Sequence, residues 1–259
     1  YWHTEIELCQ AMERRGGEDH VQPKVGRERG RIIGRGALAG LRHAAEGLST
    51  PCVFIPVAEE TGQSIGLGQQ IFDQVFEDLL SWQQQGSAVP VALNVSARQF
   101  ADHDFCSKVR ERLEGSGCPP SLLEVEVTEQ VFLGDIKTAS ARLQVLRDSG
   151  ISIALDDFGT GYSSLSSLKN LPIQTLKIDR SFISDLSHNE DSNAIVSAII
   201  SLAKQMGMNI VAEGVEKAKD AQFLKKKGVD EIQGYYFAKP MPVEAFENYL
   251  DGDINIRQG

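Results

Sequence analysis

Two adjacent carboxylates, Asp156 and Asp157, follow the apolar run Ile151-Ser152-Ile153-Ala154-Leu155 and precede Phe158-Gly159-Thr160-Gly161. A buried strand that ends in paired acids and a glycine-rich turn is a place where α/β proteins bind ligands. Neighbouring carboxylates repel, and a divalent cation is the simplest partner to hold them together. The same residues also suit a plain turn followed by a helix N-cap, so their company decides. That company is Asn94, Glu126, Lys177, Glu213 and Gln233, each near the C-terminal end of another strand-like run. Four carboxylates, two amides and a lysine at the ends of these strands form a hard-metal cage, and oxygen donors favour Mg²⁺ or Mn²⁺ over zinc. Two such ions bridged by one carboxylate would suit phosphodiester hydrolysis, neutralising the phosphate and activating water. Lys177 would hold that water or a phosphate oxygen. Taken singly, Glu213 before Gly214 also reads as an exposed turn residue, and Lys177 as a solvated strand end.

The elements that must position these groups follow from periodicity. Strands are expected near 89–95, 122–128, 151–156, 173–178, 209–213 and 230–233, and helices near 104–115, 136–149, 189–206 and 217–227. Leu67, Ile71, Val75, Leu79 and Trp82 repeat at helical spacing within 62–85. Upstream, His20–Val25 and Arg31–Leu41 resemble two strands too close for a helical crossover, so they are expected to pair antiparallel. Residues 4–15 read as a short amphipathic helix. Strand–helix alternation predicts parallel strands with outer helices. Side-chain parity sharpens this: Val125 and Val127 oppose Glu124, Glu126 and Thr128; Ile153 and Leu155 oppose Ala154 and Asp156; Leu176 and Ile178 oppose Thr175 and Lys177. Each strand turns an apolar face to helices and a small or polar face inward. A barrel with its site at the C-terminal mouth explains the pattern. An antiparallel sheet with one wet face is the alternative, and the intervening helices disfavour it.

The chain has 259 residues, of which 41% are hydrophobic, ample for the core of one large α/β domain. Residues 1–259 are read as a single barrel domain, with its core at about 20–250 and 1–19 as a helical lead-in. Tyr1 in place of an initiator Met suggests a segment of a longer multidomain protein. With 26 basic and 36 acidic residues the net charge is −10. That argues against binding a nucleic-acid polymer or an anionic membrane broadly. Cys9, Cys52, Cys106 and Cys118 lack CxxC spacing and read as reduced thiols of a cytoplasmic protein. No stretch approaches membrane-spanning length, although a parent chain could carry an anchor elsewhere.

The residues resemble the EAL domain family, the cyclic di-GMP phosphodiesterase fold, from about Gln22 to about Phe246. The matching stretches begin with Gln22-Pro23-Lys24-Val25, Phe54-Ile55-Pro56 and Ala58-Glu59-Glu60-Thr61-Gly62. Asn94-Val95-Ser96-Ala97-Arg98-Gln99-Phe100, Glu126-Val127-Thr128-Glu129 and Asp156 to Leu165 follow. Lys177-Ile178-Asp179-Arg180-Ser181-Phe182, Val211-Ala212-Glu213-Gly214-Val215-Glu216 and Gln233-Gly234-Tyr235 complete the series. The resemblance implies a modified TIM (β/α)8 barrel with one antiparallel strand. It implies a two-metal Mg²⁺ or Mn²⁺ site with ligands Asn94, Glu126, Asp156, Asp157 and Glu213. Glu213 would also be the general base, Lys177 a water or phosphate partner, and Glu129 the brace of the loop after Asp157. That loop is tied in the family to homodimerisation. Gln22, Leu38, Gln233 and Pro240 would line the pocket for cyclic di-GMP.

One strand departs from the family. The signature Glu-Ala-Leu-x-Arg reads Gly36-Ala37-Leu38-Ala39-Gly40 here. Gly36 removes a metal-ligating carboxylate. Gly40 removes an arginine contact to phosphate, a class of contact worth roughly 1.5–3 kcal/mol. Three functions follow as expectations: a catalytically impaired receptor for cyclic di-GMP, a weakly active metal-dependent phosphodiesterase giving the linear dinucleotide, and a protein-interaction module that binds no nucleotide.

Overall fold

The computed structural model describes residues 17–27, 31–43, 47–49, 57–58, 60–159, 168–186 and 189–251, with the backbone alone at 17–19, 38–43, 47–49 and 249–251. The expected helix at 4–15, the Phe54-Ile55-Pro56 stretch, Glu59, the residues 160–167 that follow Gly159, and Cys9 and Cys52 lie outside these residues. Cys106 and Cys118 are free, buried thiols.

The chain builds a closed eight-stranded barrel. Strands β1 (Gly17–Gly26) and β2 (Ile32–His43) form the expected antiparallel hairpin, with Gln22 opposite Gly36 and His20 opposite Leu38. β3 (Gly47–Ser49) extends the far end of β2. β4 (Val91–Val95), β5 (Leu123–Thr128), β6 (Ser152–Phe158), β7 (Thr175–Ile178), β8 (Asn209–Ala212) and β9 (Glu231–Ile232) then follow β2 in parallel. β9 pairs antiparallel with β1 and closes the ring. Within the ring, β1 is therefore the one antiparallel strand. β10 (Met241–Pro242) is added outside the ring, against β1.

The helices cover the barrel as the apolar strand faces require. They are α1 (Ser64–Gln85), α2 (Ala97–Ala101), α3 (Phe105–Ser116), α4 (Ile136–Asp148), α5 (Arg180–Ser184), α6 (Glu190–Gln205), α7 (Ala218–Lys227) and α8 (Val243–Asp251). Val125, Ile153, Leu155, Leu176 and Ile210 on the strands are fully buried, as are Leu143 and Leu146 of α4 and Val196 of α6. Each such side chain stabilises the fold by roughly 1.5–3 kcal/mol relative to exposure. Local chemistry sets the ends. Asp135 caps α4 by accepting from the Lys137 and Thr138 amides, and Asn189 caps α6 through the Asp191 amide. Gly86 ends α1 at φ 73°, a left-handed conformation that glycine adopts without steric cost.

The barrel and its main elements match expectation within a few residues. The one-turn helices α2 and α5, the two short strands β3 and β10, and α8 were not foreseen. Periodicity needs about two turns to register, but Ser96-Ala97-Arg98-Gln99 is a capping box and Asp179 an N-cap, and both signals stood in the sequence.

Candidate active site at the barrel mouth

In-register pairing decides which side chains meet. Asn94 pairs with Glu126 across β4 and β5, and Thr128 with Asp156 across β5 and β6. The inward faces of these strands, joined by those of β7 and β8, converge at their C-terminal ends. The centre is Lys177, 2% exposed at its side chain, with Nζ at 2.6 Å from Glu126 Oε2, 3.0 Å from Asp156 Oδ2 and 2.6 Å from Glu213 Oε1. The reading of Lys177 as a solvated strand end is thereby overturned. So is that of Glu213 as a turn acid: its side chain is 22% exposed and ion-paired. With its amide nitrogen turned to the acceptors, Asn94 donates to Asp156 Oδ2 at 3.1 Å and to Glu126 Oε2 at 3.3 Å. Asn94, Glu126, Asp156, Lys177 and Glu213 thus share one mouth.

Asp157 is held by backbone geometry. Its φ of 54° is the positive value among the described non-glycine residues, and it turns the chain as β6 ends. Its amide donates to Asp156 Oδ1 at 2.9 Å. Two residues on, the Gly159 amide donates to Glu129 Oε1 at 3.2 Å, so buried Glu129 ties the start of the following loop to the end of β5.

Charge crowding sets the protonation of these groups. Burial pushes the Glu213 carboxyl up, to about 7; the Asp156 and Glu126 charges add to this and Lys177 opposes it. Burial, then the charges of Asp156 and Asp179, raises Asp157 to about 6. Burial also raises Asp156, against the pull of Lys177. Glu126 goes the other way: burial would raise it, but Lys177 and Lys24 together bring it down to about 2.

The sequence reading missed Lys24 and Glu124. Lys24 is 3% exposed, and its Nζ lies 2.7 Å from Glu124 Oε1 and 2.9 Å from Glu126 Oε1, one layer below the mouth. Its alternation with Gln22 on β1 was the available signal.

The other side of the mouth is neutral. Gln233 Nε2 donates to Gln22 Oε1 at 2.9 Å, and Gln22 Nε2 to the Ala238 carbonyl at 3.1 Å. Gly36 faces the same interior: a Cβ built on it would lie 3.1 Å from Gln233 Nε2. Further along β2, Leu38 pairs with His20 and Gly40 with Glu18, and Pro240, half-buried, leads into β10.

The donor set can be matched to a metal on one side only. Asp156, Asp157 and Glu213 each bring a carboxylate oxygen to within 4.8 Å of the others, which suits one hard divalent ion. Towards Gly36 the set is one carboxylate short: Gly36 offers no donor, and Asn94 and Glu126 are what remains on that side.

A family model described as "EAL domain" matches residues 6–240. The chain is 42% identical over 239 residues to the bifunctional diguanylate cyclase/cyclic di-GMP phosphodiesterase MucR of Pseudomonas aeruginosa, covering 92% of this chain and 35% of that protein. It is 40% identical over 248 residues to the signaling protein YkoW of Bacillus subtilis, covering 96% and 31%. It is 36% identical over 249 residues to the cyclic di-GMP phosphodiesterase PdeR of Escherichia coli, covering 96% and 38%. The chain thus spans about a third of the length of these relatives. Among solved structures, a complex of the MucR phosphodiesterase with c-di-GMP superposes with a TM-score of 0.90 at 41% identity, covering 94% of this chain and 99% of that one. An EAL domain protein from Listeria monocytogenes gives 0.82 at 29%, covering 94% and 96%. By fold, by mouth geometry and by the matched span, this chain belongs to the EAL domain family.

Proposed function

We propose that this domain is a receptor for cyclic di-GMP with strongly impaired phosphodiesterase activity. The observation that carries the reading is the contrast at Gly36. A full set of carboxylates and Lys177 is retained across β5 to β8, while the strand that should bring one more carboxylate brings a glycine beside Gln233. Two relatives, at 36% and 42% identity, are named as cyclic di-GMP phosphodiesterases, and one is solved with the dinucleotide bound.

In this reading the ligand lies in the mouth. Gln22, Leu38, Gln233 and Pro240 border its bases and ribose, and Lys177 faces its phosphates. Asp156, Asp157 and Glu213 would hold one Mg²⁺ or Mn²⁺, which, when bound, supplies charge neutralisation at phosphate and a more acidic water. Asn94 and Glu126 complete the ligand set that the family uses. Glu213, which lines the mouth beside Lys177, would take a proton as general base. Glu129 braces the loop after Asp157. Without a carboxylate at 36 the second ion of a two-metal hydrolysis lacks a ligand, and without an arginine at 40 one phosphate contact is gone. Binding outlasts turnover.

The Asp156–Asp157–Glu213 cluster favours a second reading, slow hydrolysis to the linear dinucleotide with one ion. Calorimetric titration with cyclic di-GMP, in EDTA and in Mg²⁺, combined with chromatography of the products, tests both. Saturable binding without linear product supports the receptor. Linear product at rates matching an intact EAL enzyme refutes it. No binding at millimolar ligand refutes both and leaves a protein-interaction role. Among the described residues no helix is long and apolar enough to cross a membrane.

A further inference from the structure

One buried histidine has no part in the chemistry above. His20 shares with Gln22 and Lys24 the face of β1 that turns into the barrel. β1 runs towards the floor, so His20 stands about 7 Å nearer the rim than Gln22. It is paired with Leu38 on one side and with Pro242 on the other. It therefore lies between the strand of Leu38 and the segment that Pro240 leads in, two borders of the proposed pocket. His20 is 7% exposed, and among the described residues nothing hydrogen-bonds its Nδ1. At the level of Gln22, Gln233 is 6% exposed and its Oε1 is likewise buried without a partner.

Buried polar atoms are nearly always paired in folded proteins, and leaving one unpaired costs stability. Two such atoms on one side of a pocket point to a ligand that pairs with them when it binds. Their chemistry narrows what that ligand offers. The Ala238 carbonyl can only accept, so Gln22 turns its Nε2 to it and its Oε1 to Gln233 Nε2. Gln233 is thereby left with a free acceptor. The imidazole Nδ1 of His20 is free to donate. The partners a phosphate needs, Lys177 and the carboxylates that would hold an ion, stand across the mouth, so this side suits a base. Guanine carries acceptors at O6 and N7 and a donor at its N2 amine, the complement of one free donor and one free acceptor. We propose that His20 is a ligand-binding residue that determines base specificity: its Nδ1 donates to O6 or N7 of a guanine whose amine meets Gln233 Oε1.

The proposal rests on the receptor reading, and the wild type is the control that separates the two. Calorimetric titration in EDTA with cyclic di-GMP and with cyclic di-AMP compares the wild type, His20→Phe and His20→Asn, alongside thermal melts without ligand. Phenylalanine fills the same space without the nitrogen, and asparagine keeps a donor close to where Nδ1 stood. His20→Phe should weaken cyclic di-GMP binding about fivefold or more, the worth of one hydrogen bond, and cyclic di-AMP binding less than about twofold. His20→Asn should stay within about threefold of the wild type for cyclic di-GMP. Without ligand, His20→Phe should melt no lower than the wild type, because the change removes a buried polar atom that had no partner. A histidine kept for packing would do the reverse, lowering the melting temperature and leaving affinity alone. A wild type that binds cyclic di-GMP, with both variants binding it equally well, overturns the proposal and spares the receptor reading. Equal losses for the two dinucleotides also overturn it, since they place the contact on the shared ribose–phosphate ring. No binding by the wild type overturns the receptor reading, and this proposal with it.

Discussion

The two sides of the barrel mouth are built on opposite principles. Across β5 to β8 every functional side chain is charged and shares a partner: one lysine serves Glu126, Asp156 and Glu213 at 2.6–3.0 Å. At the rim of β1, β2 and β9, above Lys24, the groups are neutral amides and glycines, linked by single hydrogen bonds such as that from Gln233 to Gln22. Buried charges stabilise only as a complete set, because removing one strands the others. Neutral amides can be exchanged one at a time. The difference teaches why the signature strand could lose its carboxylate while the rest of the mouth stayed whole: a glycine on the neutral side leaves no unpaired charge behind.

The sharpest way to break this comparison is Lys177→Met. It leaves three buried or half-buried carboxylates facing one another, and stability should fall by about 3–5 kcal/mol, measured by denaturant unfolding. A loss below about 1 kcal/mol would mean the cluster is not a cooperative unit. Gly36→Glu acts in the opposite sense by carrying charge onto the neutral side. Gln233 must give by a few tenths of an ångström, and Mn²⁺ affinity should rise about tenfold, or roughly 1.4 kcal/mol. Gly36→Glu with Gly40→Arg should restore more hydrolysis than either change alone, read as linear dinucleotide formed. Unchanged Mn²⁺ binding in Gly36→Glu would show that the missing carboxylate is not the limiting defect.

A smaller effect reads out the charged side by pH. Glu213 and Asp157 have carboxyls raised to about 7 and about 6, above the values of an unfolded chain near 4.5 and 3.8. Between those limits the folded state holds more protons than the unfolded one, so metal-free stability should fall as pH rises from about 4 to about 7. Glu126, lowered to about 2, contributes the reverse, a stability present above pH 4.5 and lost as pH drops towards 2. Thermal melts in EDTA at several pH values check this. Glu213→Gln should flatten the decline between pH 5 and 7, and an unaltered slope would remove Glu213 as its source. The mildest change is Gln233→Ala. It loses one hydrogen bond, but it also removes a buried Oε1 without a partner, so stability should shift by less than about 1 kcal/mol. Cyclic di-GMP affinity, in contrast, should drop. A large loss of stability would place Gln233 in the scaffold and not in the pocket.

The parallel strands were legible because two periodicities agree in them. Leu176 and Ile178 against Thr175 and Lys177 fix the inward face, and the direction common to these strands puts their polar C-terminal ends at one mouth. Lys24 escaped for a physical reason. β1 runs against its neighbours, so a polar residue near its C-terminal end lies at the floor and not at the rim. In the sequence, Lys24 sits before Arg27 to Arg31 and resembles the solvated end of a hairpin. Its two carboxylate partners are 100 and 102 residues away, a separation that no local pattern spans. The left-handed Asp157 was similarly silent, because conformation at a single aspartate leaves no periodic trace.

The reversal of β1 also decides where the polypeptide is threaded into the domain. Had the first strand run parallel to the others, the chain would arrive at the floor, a full barrel height from the ligand. Here Gly17 lies opposite Leu41 and Glu18 opposite Gly40, beyond the level of Leu38. Gly17 consequently lies at the rim, on the side of Gly36 and Gly40. A pull or twist applied at Gly17 would be felt first by β1, the strand that carries both Gln22 and Lys24. A disturbance entering at that rim would therefore reach Gln22 and Lys24 along a single strand.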